Sequence, residues 1–166
     1  MPKLAIAIAA SVMLLGGSML SSDDSMFASQ AARSNAAEIE LGRLALARAS
    51  TMEIKDFAQK MVDDHTRTSD DLNNLAAEIG ETLPYTLTET NRAQLTRLSG
   101  LEGLEFDRAY MAASVDSHRD TLSLFETETA SGDNPVLKKF AAKSLPMLKA
   151  HFEMAKRVAD SVGVSE

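Results

Sequence analysis

Three histidines, His65, His118 and His151, each fall on the apolar row of a long amphipathic stretch. Around the first, the apolar residues run Ile54, Phe57, Ala58, Met61, Val62, then Leu72, Leu75, Ala76 and Ile79. Spacings of three and four put them on one helix face, and the row is continuous only if His65 lies on it. His118 belongs to a second row with Leu104, Asp107, Met111, Ser114, Leu122 and Phe125. His151 belongs to a third, with Leu137, Ala141, Ser144, Leu148, Ala155, Val158 and Val162. A fourth row, Phe27, Ala31, Ser34, Glu38, Leu41 and Ala45, carries a glutamate instead. All four residues lie near the middle of their stretches. The midpoints of antiparallel helices meet in one layer, so one carboxylate and three imidazoles would converge. That donor set suffices for one transition-metal ion such as Zn, Cu, Fe or Mn. Without a metal, the same residues would form a polar layer that fixes helix register.

Neighbouring residues extend both readings. Asp64 and Asp116 adjoin histidine positions and are candidates to orient an imidazole from behind, or else solvated surface acids. Met61 and Met147 lie four residues before a histidine, and Met111 lies seven before one, on the same faces. Their thioethers would suit copper, although methionine in a bundle core is commonly filler. Asp107 is on an inward row but roughly 16 Å along the axis from His118, so it reads as a capping or hairpin contact.

The elements that must position these residues follow from local signals. A first helix runs from about Met26 to Ala49, and Ser50-Thr51-Met52-Glu53 reads as a capping box with Ser50 as N-cap. The second helix follows at once as an αα-hairpin and ends at Gly80. Residues 81–101 form a long connection, broken by Pro84 and Tyr85, with a short helix over Glu89–Leu98. Such a connection can cross the length of a bundle. A third long helix spans about Glu102–Ala130, and a fourth runs from Pro135, capped by Asn134, to about Val162. Pro146 lies inside the last of these and is expected to kink it or free a carbonyl one turn earlier. The fold expected is all-α: an antiparallel four-helix bundle with a short helix in the crossover between helices two and three. Lys55–Lys60 and Lys138–Lys143 also resemble each other, as a duplicated hairpin would leave them.

Composition narrows the function. The chain has 166 residues, net charge −7 and no cysteine. One domain with a sizeable core is expected, without disulfides, thiolate zinc sites or a cysteine nucleophile. Acidic and basic residues are mixed, and no basic patch with interleaved aromatics suggests nucleic acid. No phosphate loop, nucleophile elbow or HExxH is present. Lys3, the apolar run Leu4–Leu15 and then Gly16-Gly17-Ser18 read as a secretion signal over residues 1–22, ahead of a bundle over 23–166. The alternative is an uncleaved membrane anchor over residues 4–20. A periplasmic setting is expected, with any membrane contact through that segment alone.

Four stretches carry a family resemblance: AEIELGRLAL at 37–46, IKDFAQKMVDDH at 54–65, LSGLEGLEFDRAYM at 98–111 and KKFAAKSLPMLKAH at 138–151. With Val115 and His118, they make the chain similar, over about residues 27–160, to the bacterial family called domain of unknown function 4142. That family is a ferritin-like group of exported proteins. The resemblance implies a four-helix bundle and singles out Glu38, Asp64, His65, Asp107, His118 and His151. It does not bring a di-iron site, which needs Glu-x-x-His on two helices; none of these histidines has a glutamate three residues before it. The expected function is binding of a metal ion or small ligand in the mid-layer, in envelope stress or metal handling. The rival is a metal-free structural or interaction protein of the cell envelope. Nothing in the sequence argues for an enzyme over these.

Overall fold

A computed structural model describes residues 20–164, and the secretion segment expected at 1–22 lies almost wholly outside them. Five helices follow in order: α1 (Ser22–Arg48), α2 (Met52–Ile79), α3 (Glu89–Ser99), α4 (Gly103–Ser131) and α5 (Pro135–Ser161). Among the described residues there is no strand, and no helix is long and apolar enough to cross a membrane. The all-α expectation holds, and the short crossover helix lies where its sequence placed it.

Helix ends follow their local chemistry with one correction. Gly80 closes α2 at φ 71°, and Asn134 caps α5 with Pro135 in its first turn. Thr88 and Asn91 form a reciprocal capping box on α3. The cap of α2 is Thr51, whose hydroxyl accepts from Ile54 N at 3.3 Å, and not Ser50 as the capping-box pattern suggested. Ser50 is engaged elsewhere: its N–H and hydroxyl both donate to the buried Asp107 of α4. Glu53, the expected second half of that box, accepts from Ser161 instead. Asp107 thus ties the α1–α2 hairpin to the start of α4, the kind of contact its position suggested.

Each long helix packs on two others: α1 on α2 and α4, and α5 on α4 and α2. The α1–α2 hairpin, the start of α4 and the end of α5 lie at one end, as the Asp107–Ser50 and Arg108–Val162 contacts show. The start of α1 meets the α4–α5 turn at the other, where Asp24 accepts from Asp133 N and Asn134 N, both at 3.1 Å. The crossover that carries α3 therefore travels the length of the bundle. Helices α1 and α2 come close at Gly42, where a Cβ would lie 2.8 Å from Val62 Cγ2 and 3.2 Å from Ala58 O.

The apolar core falls into two clusters. Leu41, Ile54, Phe57, Met61, Phe106, Tyr110 and Met111 fill the hairpin end. Phe27, Leu72, Phe125, Leu137, Phe140 and Leu148 fill the other. Leu104, expected inward, is half exposed; Phe106 and Asp107 take the inward positions in that turn. Between the clusters lies a buried polar layer: Asn35, Glu38, Asp64, His65, Ser114, His118 and His151.

A second polar pair closes the α4–α5 end. Glu128 of α4 is buried against Asp24, and Gly132 leaves room for it, since a Cβ there would collide with its carboxyl. Burial first, then the charge of Asp24 and a hydrogen bond with it, push the Glu128 carboxyl up to about 7; Asp133 adds to the rise and Lys138 opposes it. The unfolded chain releases this proton near 4.5, so between the two values the folded state binds more protons. The resulting stability is full below the lower value and is lost as pH rises through the upper one. This contribution to the melting temperature is expected to be lost between about pH 4.5 and 7.5. Glu128→Gln, which cannot titrate, should flatten that fall, as a thermal melt series would show. An equally steep fall in the variant would contradict the assignment.

Candidate metal centre

The layer between the clusters places three imidazoles together. His65 comes from α2, His118 from α4 and His151 from α5, all buried. Their ring centroids lie 5.5–6.0 Å apart. One nitrogen from each ring lies within 4.8 Å of those of the other two. Some point therefore lies within about 2.8 Å of all three, against bond lengths of about 2.0–2.1 Å for zinc on imidazole. A contraction of under about 1 Å would complete the contact.

Each ring is held from behind by one nitrogen. Asn35 Nδ2 donates to His65 O at 2.9 Å and Ser69 Oγ at 2.8 Å. A backbone carbonyl only accepts, so the Asn35 amide is oriented, and its Oδ1 accepts from His65 Nδ1 at 2.9 Å. The same logic fixes His118, whose Nδ1 donates to Ser114 O at 2.8 Å. His151 uses its other nitrogen: Nε2 donates to Asp64 Oδ2 at 2.7 Å. What remains is His65 Nε2, His118 Nε2 and His151 Nδ1, and these are the three ring nitrogens that are buried without a hydrogen-bond partner. With its partner nitrogen protonated, each is a bare lone pair, the form a metal requires.

Electrostatics keep His65 and His151 neutral. Burial, then the charges of His118 and His151, push His65 down to about 3. Burial pulls His151 down to about 4, against the upward pull of its hydrogen bond to Asp64. Burial resists ionisation of Asp64, but hydrogen bonds from Lys60 and His151 outweigh it and hold this carboxyl at about 2. Arg67 also pairs with Asp64, so its charge is well compensated.

The remaining candidates are distributed around this triad. Glu38 is buried, but its carboxylate is not among the atoms that converge; it accepts from Ser117 Oγ at 2.6 Å. The converging set is thus three imidazoles, where four groups were expected. Asp116 is exposed and pairs with Arg119 at 2.7 Å, touching no histidine. Met61 and Met111 are fully buried in the hairpin-end cluster. Met147 borders a cavity of about 20 Å³ that is also lined by Glu38, His65 and His118, with its sulfur 4.0 Å from Thr68 Oγ1. Asn35 had no periodic signal, being a small polar residue in an alanine-rich helix, yet it sets the tautomer of His65. Ser117 and Tyr110 were also missed. Burial and then the charge of Glu38 push the Tyr110 hydroxyl pKa upward.

Fold and site define an all-α bundle with a buried three-imidazole layer. The chain belongs to the family described as Domain of unknown function (DUF4142), whose model matches residues 13–158. Its fold is similar to that of a DUF305 fragment from Deinococcus radiodurans, at TM-score 0.74 and 12% identity, covering 86% of this chain and 98% of that one. At that identity the likeness concerns the fold. No curated protein matches the chain.

The pKa directions give a test on metal-free protein. In the unfolded chain a histidine titrates near 6.5, and His65 and His151 stay neutral far below that when folded. Their contribution is full above the unfolded value and is lost as pH falls toward about 4 and then 3. Chelator-treated protein should therefore lose melting temperature as pH drops from about 7 to 4. His65→Gln should make that loss shallower. An unchanged acid slope in the variant would show that His65 is not buried neutral.

Proposed function

We propose that the protein binds one transition-metal ion on His65, His118 and His151, and that it serves metal handling or stress protection in the bacterial envelope. The observations that carry this reading are the convergence of three imidazoles, one nitrogen of each within 4.8 Å of the others, and a buried nitrogen without a partner on every ring. Leaving one buried polar atom without a partner costs about 1–3 kcal/mol. A layer that only fixed register would gain from pairing both nitrogens of each ring. This layer instead pairs one nitrogen of each ring and leaves the other without a partner. Imidazole donors without a carboxylate favour Zn, Cu or Fe over Mn. Asn35, Ser114 O and Asp64 would be the supporting partners that hold the ligands in place. The exported setting rests on the apolar run Leu4–Leu15 and the small residues after it. N-terminal sequencing of protein from the envelope fraction tests that part.

The second reading is a metal-free structural layer. It draws support from the two ties between helices, Asn35–His65 joining α1 to α2 and Asp64–His151 joining α2 to α5. Thermal melts separate the two. On the metal reading, Zn²⁺ or Cu²⁺ raises the melting temperature of chelator-treated protein, and chelator reverses the rise. His65→Ala abolishes the response, and Asn35→Ala weakens metal affinity by about 10–100-fold. Wild-type melting that ignores copper, zinc, iron and manganese would leave only the structural layer.

A further inference from the structure

The three imidazoles come from α2, α4 and α5, while α1 supplies none. Beside the imidazoles lies the small cavity, lined from all four long helices, with Asn35 and Glu38 of α1, His65 of α2, His118 and Thr121 of α4 and Met147 of α5 among its walls. Its volume of about 20 Å³ is close to what one water molecule needs. Among the described residues no fourth histidine, aspartate or glutamate joins the converging set. Three protein ligands and a vacant fourth position are the pattern of reactive metal sites, whereas structural sites are closed by four.

The wall of this cavity is thin. Ser34 and Thr121 line both it and a polar surface groove between α1, α3 and α4. Ser117 also lines the groove, and its hydroxyl holds Glu38 Oε1 at 2.6 Å. Glu38 therefore stands between the groove and the imidazoles as an inward carboxylate, placed to accept a hydrogen bond from whatever occupies the cavity.

Resting on the metal reading above, we propose that the bound ion keeps its fourth position toward this cavity for an exchangeable, water-sized ligand. That ligand enters from the groove under α3 through the Ser34–Thr121 partition. Glu38 is its hydrogen-bond acceptor and not a metal ligand. A neutral donor such as water is favoured there, and the carboxylate disfavours an anion. The rival for the position is the Met147 thioether, which borders the same cavity.

Loading with Co²⁺ and titrating with azide tests this, because the visible spectrum of Co²⁺ reports its coordination. Stoichiometric Co²⁺ binding is established first. Wild-type protein should then show a saturable azide-dependent change. Glu38→Gln, which keeps shape and removes charge, should tighten azide by about tenfold, the loss of one unfavourable charge contact. Thr121→Leu should slow the approach to the azide-bound spectrum; an unchanged rate would overturn the groove as the route. If azide alters nothing in wild type or Glu38→Gln while Co²⁺ remains bound, the open position is overturned and the metal site survives. Should Met147→Leu then create an azide response, the thioether fills the position. Failure of Co²⁺ to bind at all removes the metal reading, and this proposal with it.

Discussion

An imidazole has two nitrogens, and this bundle gives each of its three buried histidines a hydrogen-bond partner for only one. Everything else in the polar layer follows from that constraint. The occupied nitrogen fixes the tautomer, and the tautomer decides that the other nitrogen is a bare acceptor. Two of the three anchors also join helices, so ring orientation and helix register are set by the same contacts. The third anchor, Ser114 O, lies within α4 and orients His118 against its own helix. The unpaired nitrogens are a cost on the scale of a domain's entire net stability of about 5–15 kcal/mol. Two apolar clusters, one on each side of the layer, supply the burial that offsets it.

The layer is asymmetric in a way that bears on chemistry. Helices α2, α4 and α5 present nitrogen, and α1 presents support through Asn35. Asp64 adds negative charge behind His151, which raises the basicity of that ring, while Lys60 keeps the carboxylate ionised and Arg67 pairs with it. Glu38 faces the opposite side with Ser117. A nitrogen set with carboxylates one step removed would suit a borderline ion.

Helix ends were legible wherever the signal is local. Gly80, Asn134-Pro135 and Gly100 each act within their own turn, so the local sequence alone located them. The cap of α2 slipped by one residue because Asp107, distant in sequence, competes for Ser50. The histidines were legible because the helical period admits them to apolar rows. Glu38 was placed inward by the same period, but a period cannot say which way a carboxylate turns, and Ser117 decides that. Asp64 and Asp116 look alike beside their histidines; only packing of α2 against α5 buries the first and leaves the second in solvent. Asn35 carried no signal, since neither periodicity nor motif marks a single amide among alanines.

The most direct measurement is ¹⁵N–¹H correlation of the histidine rings in chelator-treated protein near neutral pH. His65 and His118 should carry a proton on Nδ1 and His151 on Nε2, with His65 and His151 neutral. One equivalent of Zn²⁺ should then shift His65 Nε2, His118 Nε2 and His151 Nδ1 together. Rings that share one tautomer or carry charge, or bare nitrogens that ignore zinc, would contradict a preformed three-imidazole metal centre.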